Sequence, residues 1–104
     1  MISHRQIDER SLAFGRAIAA RLVEQPELIV QARANLTRWL ITCSAGVRPA
    51  LHEWLAVLDG PSDEIIALLT AGDERATRLR QSNPFAGLLL NEERNRILRE
   101  FHDA

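Results

Sequence analysis

The chain has no lysine, a single cysteine, no long apolar run and almost no excess of either charge, and each scarcity narrows what it does. All thirteen basic residues are arginine, so every cation on the surface is a planar guanidinium that stays charged. Cys43 has no partner for an internal disulfide, and an unpaired thiol fits a reducing compartment, so the cytoplasm is the expected location. No stretch reaches the roughly 18 consecutive apolar residues of a spanning helix, and Met1–Gln6 lacks the apolar core of a signal peptide. Neither membrane insertion nor export by that route is expected. A net charge of −1 gives no general attraction to nucleic-acid phosphates. The charge is mildly divided, with seven arginines against four acids in residues 1–48 and six against ten in residues 49–104.

What is present is ordinary globular material. With 104 residues, 46% hydrophobic and 26% charged, the chain suits one domain over 1–104 and lies far from the polar compositions that stay disordered. A domain of this size buries roughly 60 to 70% of the surface its unfolded chain exposes, enough for one modest core.

Apolar residues recur at three- and four-residue spacing nearly throughout, and no segment alternates with the period of a strand. Leu12, Phe14, Ile18 and Leu22 predict a helix from Asp8, as N-cap, to Gln25, where Pro26 stops it. Pro26 is also a favourable first residue for a second helix over about 26–44, carried by Ile29, Ala32, Leu36, Trp39, Leu40 and Cys43 and ended by Gly46. Pro49 opens a third over 49–59 with Leu51, Trp54, Leu55 and Leu58 on one face, and Gly60-Pro61 closes it. Ser62 caps a fourth over 62–70, whose Ile65, Ile66, Leu68 and Leu69 are dense enough for deep burial. A short helix over 74–81 turns Ala76 and Leu79 inward, and Asn91 caps a last one with Ile97, Leu98 and Phe101 inward ahead of a short polar tail. Between them, Ser82-Asn83-Pro84-Phe85-Ala86-Gly87 is the clearest loop, a hinge or a docking segment. The fold class is therefore all-α, a compact single-domain array of five to six short helices.

Reactive chemistry does not assemble along the sequence. His4, His52 and His102 are scattered, and His52-Glu53 lacks the second histidine one turn on that a zinc pair needs, so no metal and no cofactor is expected. Cys43 sits at a helix C-terminus, where the dipole opposes a thiolate, and reads as a small core filler. No catalytic residue is assigned and the chain is not expected to be an enzyme. Gly15, inside the first helix, costs about 1 kcal/mol against alanine unless another backbone packs closely on it, which is the expectation. Trp39 and Trp54 are expected in the core.

The arginines are the remaining signal. Arg75, Arg78 and Arg80 fall within six residues, and Arg75 and Arg78 share a helical face. That face either grips an anion or acidic partner, or is a solvated surface paired with Asp73 and Glu74. Followed by the proline loop with Phe85 held outward, it has the make-up of an interface hot spot, so Arg75, Arg78, Arg80, Phe85 and Leu89 are the expected partner-binding residues. Read as the second helix of a helix-turn-helix, 74–81 also offers a route to operator DNA, most naturally as a two-fold dimer. Arg94, Arg96 and Arg99 form a second set, diluted by Glu92, Glu93 and Glu100.

The strings Asp8-Glu9-Arg10-Ser11-Leu12-Ala13, Ala32-Arg33-Ala34-Asn35-Leu36-Thr37-Arg38-Trp39, Glu53-Trp54-Leu55-Ala56-Val57-Leu58-Asp59-Gly60-Pro61 and Leu79-Arg80-Gln81-Ser82-Asn83-Pro84-Phe85-Ala86-Gly87 span most of the chain. Together they resemble small bacterial helical proteins that serve as antitoxins in toxin–antitoxin operons. The resemblance implies a protein that neutralises a cognate toxin by covering its surface, and in many such proteins also binds operator DNA and regulates transcription. The chain departs from them in having no basic DNA-binding half and no disordered toxin-wrapping tail. Two roles follow as expectations: a protein-interaction module, or a DNA-binding regulator using 74–81.

Overall fold

The computed structural model describes residues 4–102, and among these there is no strand. Six α-helices follow one another: α1 (His4–Glu24), α2 (Leu28–Thr42), α3 (Arg48–Leu58), α4 (Ser62–Thr70), α5 (Glu74–Arg80) and α6 (Asn91–His102), with a 3-10 turn over Ala86–Leu88 before the last. The fold is all-α, and its radius of gyration of 13.5 Å is that of a tightly packed chain of this length. The polar tail of Asp103 and Ala104 lies outside the described residues, as do Met1–Ser3 and the side chains of His4, Gln6 and His102.

The longest helix, α1, is the hub, packing on α4, α5, α6 and the 3-10 turn, while α2 packs mainly on α3. Trp54, Phe85, Ile18, Leu36, Leu51, Ile65, Leu69 and Leu79 are wholly enclosed between them. Each such side chain contributes about 1.5–3 kcal/mol by leaving water. The Trp54 indole also donates to the Leu79 carbonyl at 2.7 Å, which satisfies its one polar group inside the core.

Gly15 behaves as its position demands. A methyl there would overlap the Leu69 carbonyl and crowd the Arg80 side chain, so the missing Cβ sets the closeness of α1 to α4. Other boundaries shift for local reasons. The first helix starts at His4, ahead of Asp8, because nothing in 4–7 breaks it and Arg5 pairs with Glu9 one turn on at 3.0 Å. Pro26 and Glu27 form a tight lead-in turn, with Ile29 N–H donating to the Pro26 carbonyl, and the helix proper starts at Leu28. It ends at Thr42 because Cys43 is extended (ψ 156°), and Gly46 is not a left-handed stop, since no described glycine has positive φ. Pro61 holds the N-cap position of α4 and Ser62 makes no cap bond, whereas Asp73 caps α5 by accepting from Ala76 N–H at 2.7 Å.

The largest correction concerns the 82–87 loop. It is folded inward: the Asn83 side chain accepts the Phe85 N–H at 2.9 Å, and the Asn83 carbonyl accepts the Ala86 N–H at 3.2 Å. Asn35 of α2 donates to the Pro84 carbonyl at 2.9 Å and pins the turn from outside. The Phe85 ring is thereby driven edge-on onto Trp54, with centroids 6.3 Å apart and planes at 74°. Phe85 is 0% exposed and Leu89 is buried as well, so neither is the outward anchor expected, and the exposed leucine of the segment is Leu90.

Candidate functional site

The five residues expected at an interface divide into two groups. Arg75 and Arg78 remain on the surface, one turn apart on α5, and both turn onto Glu53 of α3. The Arg78 guanidinium donates to both Glu53 oxygens at 3.3 Å, while Arg75 stands 3.8 Å away. Exposed pairs of this kind are worth at most about 1 kcal/mol, but they occupy the two outward arginines of a helix only seven residues long. Arg80, Phe85 and Leu89 belong to the interior.

Arg80 is the only charged side chain buried among the described residues, at 5% exposure. Its Nη1 donates to the Leu68 carbonyl at 2.9 Å and the Ala71 carbonyl at 2.6 Å, and its Nη2 donates to the Thr77 hydroxyl at 3.4 Å. It thus serves the carbonyls at the end of α4, which the helix itself leaves without donors. Burial pushes its pKa below the usual arginine range; Asp73 and Asp8 oppose that shift and Arg16 adds to it.

Helix α2 is covered on one side only. It buries Leu28, Ala32 and Leu36 on one side, while Val30, Ala34, Thr37 and Ile41 lie on the other, spaced four, three and four residues apart and all exposed. Val30 is 69% and Ile41 77% exposed, in line on one helical face. Thr37 turns its hydroxyl back to the Arg33 carbonyl at 3.0 Å, which satisfies its polar group within the helix. An apolar cleft opens beside each end of α2. One, of about 430 Å³, is lined by Trp39, Thr42, Cys43, Val47 and Leu51 together with the 80–86 turn. The other, of about 280 Å³, lies among Leu22, Val23, Pro26, Ile29, Ile65 and Ile66. Trp39 and Cys43 are therefore half-buried cleft walls, in contrast to Trp54.

A third cleft, of about 490 Å³, lies between the first half of α1, the 80–87 turn and the start of α6. Arg10, Arg80 and Arg94 line it with Ile7, Phe14 and Ser11. Of the residues with reactive side chains, His52 stands exposed on α3 and Cys43 is half-buried, and no three of His, Cys, Asp and Glu gather among the described residues.

Sequence reasoning missed Glu53 as the partner of α5 and missed the outer side of α2. The second had a signal, the 30–34–37–41 spacing, masked by an equally apolar set on the inner face. Compared with protein-family models, with curated proteins and with solved structures, the chain matches none. No described helix is long and apolar enough to cross a membrane.

Proposed function

We propose that the protein is a non-enzymatic protein-interaction module of the bacterial cytoplasm, and that it engages its partner through the outer face of α2. The observation that carries this reading is the aligned exposure of Val30, Ala34, Thr37 and Ile41. Single exposed apolar residues are normal on any surface, but three in register, joined by a threonine whose hydroxyl is satisfied within the helix, make a continuous stripe of the kind partners cover. A helix of 15 residues is about 22 Å long, enough for recognition by anchors at i, i+4, i+7 and i+11. The clefts at either end of α2 extend the apolar surface beyond the helix itself.

The resemblance to antitoxins supplies the class of partner, the toxin of the same operon, covered by this face. A specific observation favours a second occupant, another copy of the chain. The stripe is symmetric about the point midway between Ala34 and Thr37. Across a two-fold axis at that point, Val30 meets the second copy's Ile41 at both ends, and the small Ala34 meets Thr37 at the centre, where the helix axes approach most closely. Regulation through operator DNA has less support, because both outward arginines of α5 are engaged by Glu53 and Arg80 is inside.

Light scattering on the chain alone, and on the chain co-expressed with the product of the adjacent reading frame, tests both forms. A dimer of twice 11.7 kDa, or a one-to-one complex with the neighbour, is expected, lost in either case by Val30→Glu with Ile41→Glu. A monomer that ignores its neighbour's product, or an assembly indifferent to those substitutions, overturns the reading.

A further inference from the structure

We propose that the arginine-lined cleft between α1, the 80–87 turn and α6 binds a small organic phosphate. It takes no lining residue from α2 itself, and its Arg80, Gln81, Asn83 and Ala86 also line the cleft at the C-terminal end of that helix. Its volume of about 490 Å³ lies within the range of small-molecule sites. Arg10, Arg80 and Arg94 line it, and no carboxylate does. The cleft wall therefore carries one sign of charge and favours an anionic occupant. Among the described residues neither Arg10 nor Arg94 has a carboxylate within salt-bridge distance, so both guanidinium groups are available to a ligand.

A second observation is independent of the charge count. The Arg80 Nε–H has no acceptor, and it is the only buried side-chain nitrogen or oxygen so left among the described residues. Native structures rarely leave such a donor unpaired, because doing so costs about 1–3 kcal/mol. Arg80 is held by backbone carbonyls that carry no full charge, and the nearest opposing acids, Asp8 and Asp73, act from outside the cleft lining. That nitrogen is enclosed by protein, so an anion in the cleft supplies the missing countercharge directly and the missing acceptor when the Arg80 side chain turns toward it. Several guanidinium forks around one space match the terminal oxygens of a phosphate monoester, which accept paired N–H bonds in a way a halide cannot. Phe14 and Ile7 give the cleft an apolar side, which selects an organic group attached to the phosphate over the bare ion. Ser11, Gln81 and Asn83 complete the lining with neutral polar groups.

The test is a titration of the full chain with phenyl phosphate, followed by backbone NMR shifts, with inorganic phosphate and a short DNA duplex in parallel. Saturation below about 10 mM, with shifts centred on residues 10–14 and 83–94, is expected. Inorganic phosphate is expected to bind at least about fivefold more weakly, since it leaves Phe14 uncovered. Arg10→Gln and Arg94→Gln are each expected to weaken binding about tenfold with the fold intact, and Arg75→Gln to leave it unchanged. Absence of saturation, equal binding by both cleft variants and the wild type, or preference for the duplex overturns the assignment.

Discussion

Gly15 and Arg80 meet at one point, where α1 passes over the end of α4. Because a Cβ at Gly15 would strike a backbone carbonyl, which cannot rotate away as a side chain does, α1 has to lift from α4 if one is added. Gly15→Ala is therefore expected to destabilise the fold by about 2 kcal/mol in urea denaturation. On an open helix the same change would gain about 1 kcal/mol, so the sign alone decides whether the close approach is real. Arg80→Met keeps the aliphatic stem but strips the Leu68 and Ala71 carbonyls, at and just past the end of α4, of their donor, and a loss of about 1–3 kcal/mol is expected by the same measurement. Phe85→Ala empties a site that is 0% exposed beside Trp54, with an expected loss of about 3–5 kcal/mol, and a change under about 1 kcal/mol would contradict the inward loop. At this scale the sequence was legible where a residue's own chemistry forces the answer. A glycine inside a helix has few explanations besides close packing. Phe85 was not legible, since its direction depends on the Asn83 side chain capping the turn and on Asn35 reaching the Pro84 carbonyl from 49 residues away.

Among the elements, α6 is joined to α1 by more than packing. Arg21 donates through Nε at 2.8 Å and Nη2 at 2.6 Å to the same Glu93 oxygen, and both side chains are largely buried. Glu93→Gln is expected to cost about 1–2 kcal/mol, between the values for exposed and fully buried pairs, with part of the effect lost in molar salt. By contrast Arg78→Ala, which frees an exposed pair on Glu53, is expected to change stability by less than about 1 kcal/mol in the same assay. The helices themselves were readable because periodic apolar residues, Pro26, Pro49 and the Gly60-Pro61 break act within a few residues of one another. Their ends moved by several residues wherever an unpatterned segment such as 4–7 was free to join, or a single extended residue such as Cys43 ended the helix early. The pairing of α5 with Glu53 was invisible, since it links residues 25 apart through tertiary placement alone.

Taken whole, the molecule is a hub helix with a core around Trp54 and Phe85, and a peripheral helix, α2, that is apolar on two sides and covered on one. Periodicity identifies α2 as helical but does not say which of its two faces the rest of the chain covers; only the position of α3 does that. The uncovered face is the surface assigned to partner binding, and its loss should leave the fold untouched, because Val30 and Ile41 contribute little burial. The most direct test is light scattering of the wild type and of the Val30→Glu, Ile41→Glu variant, each alone and with the adjacent gene's product, alongside thermal melts. The expected result is an assembled wild type, a monomeric variant and melting temperatures within about 2 °C of each other. An identical mass distribution for the two proteins would contradict the role given to α2.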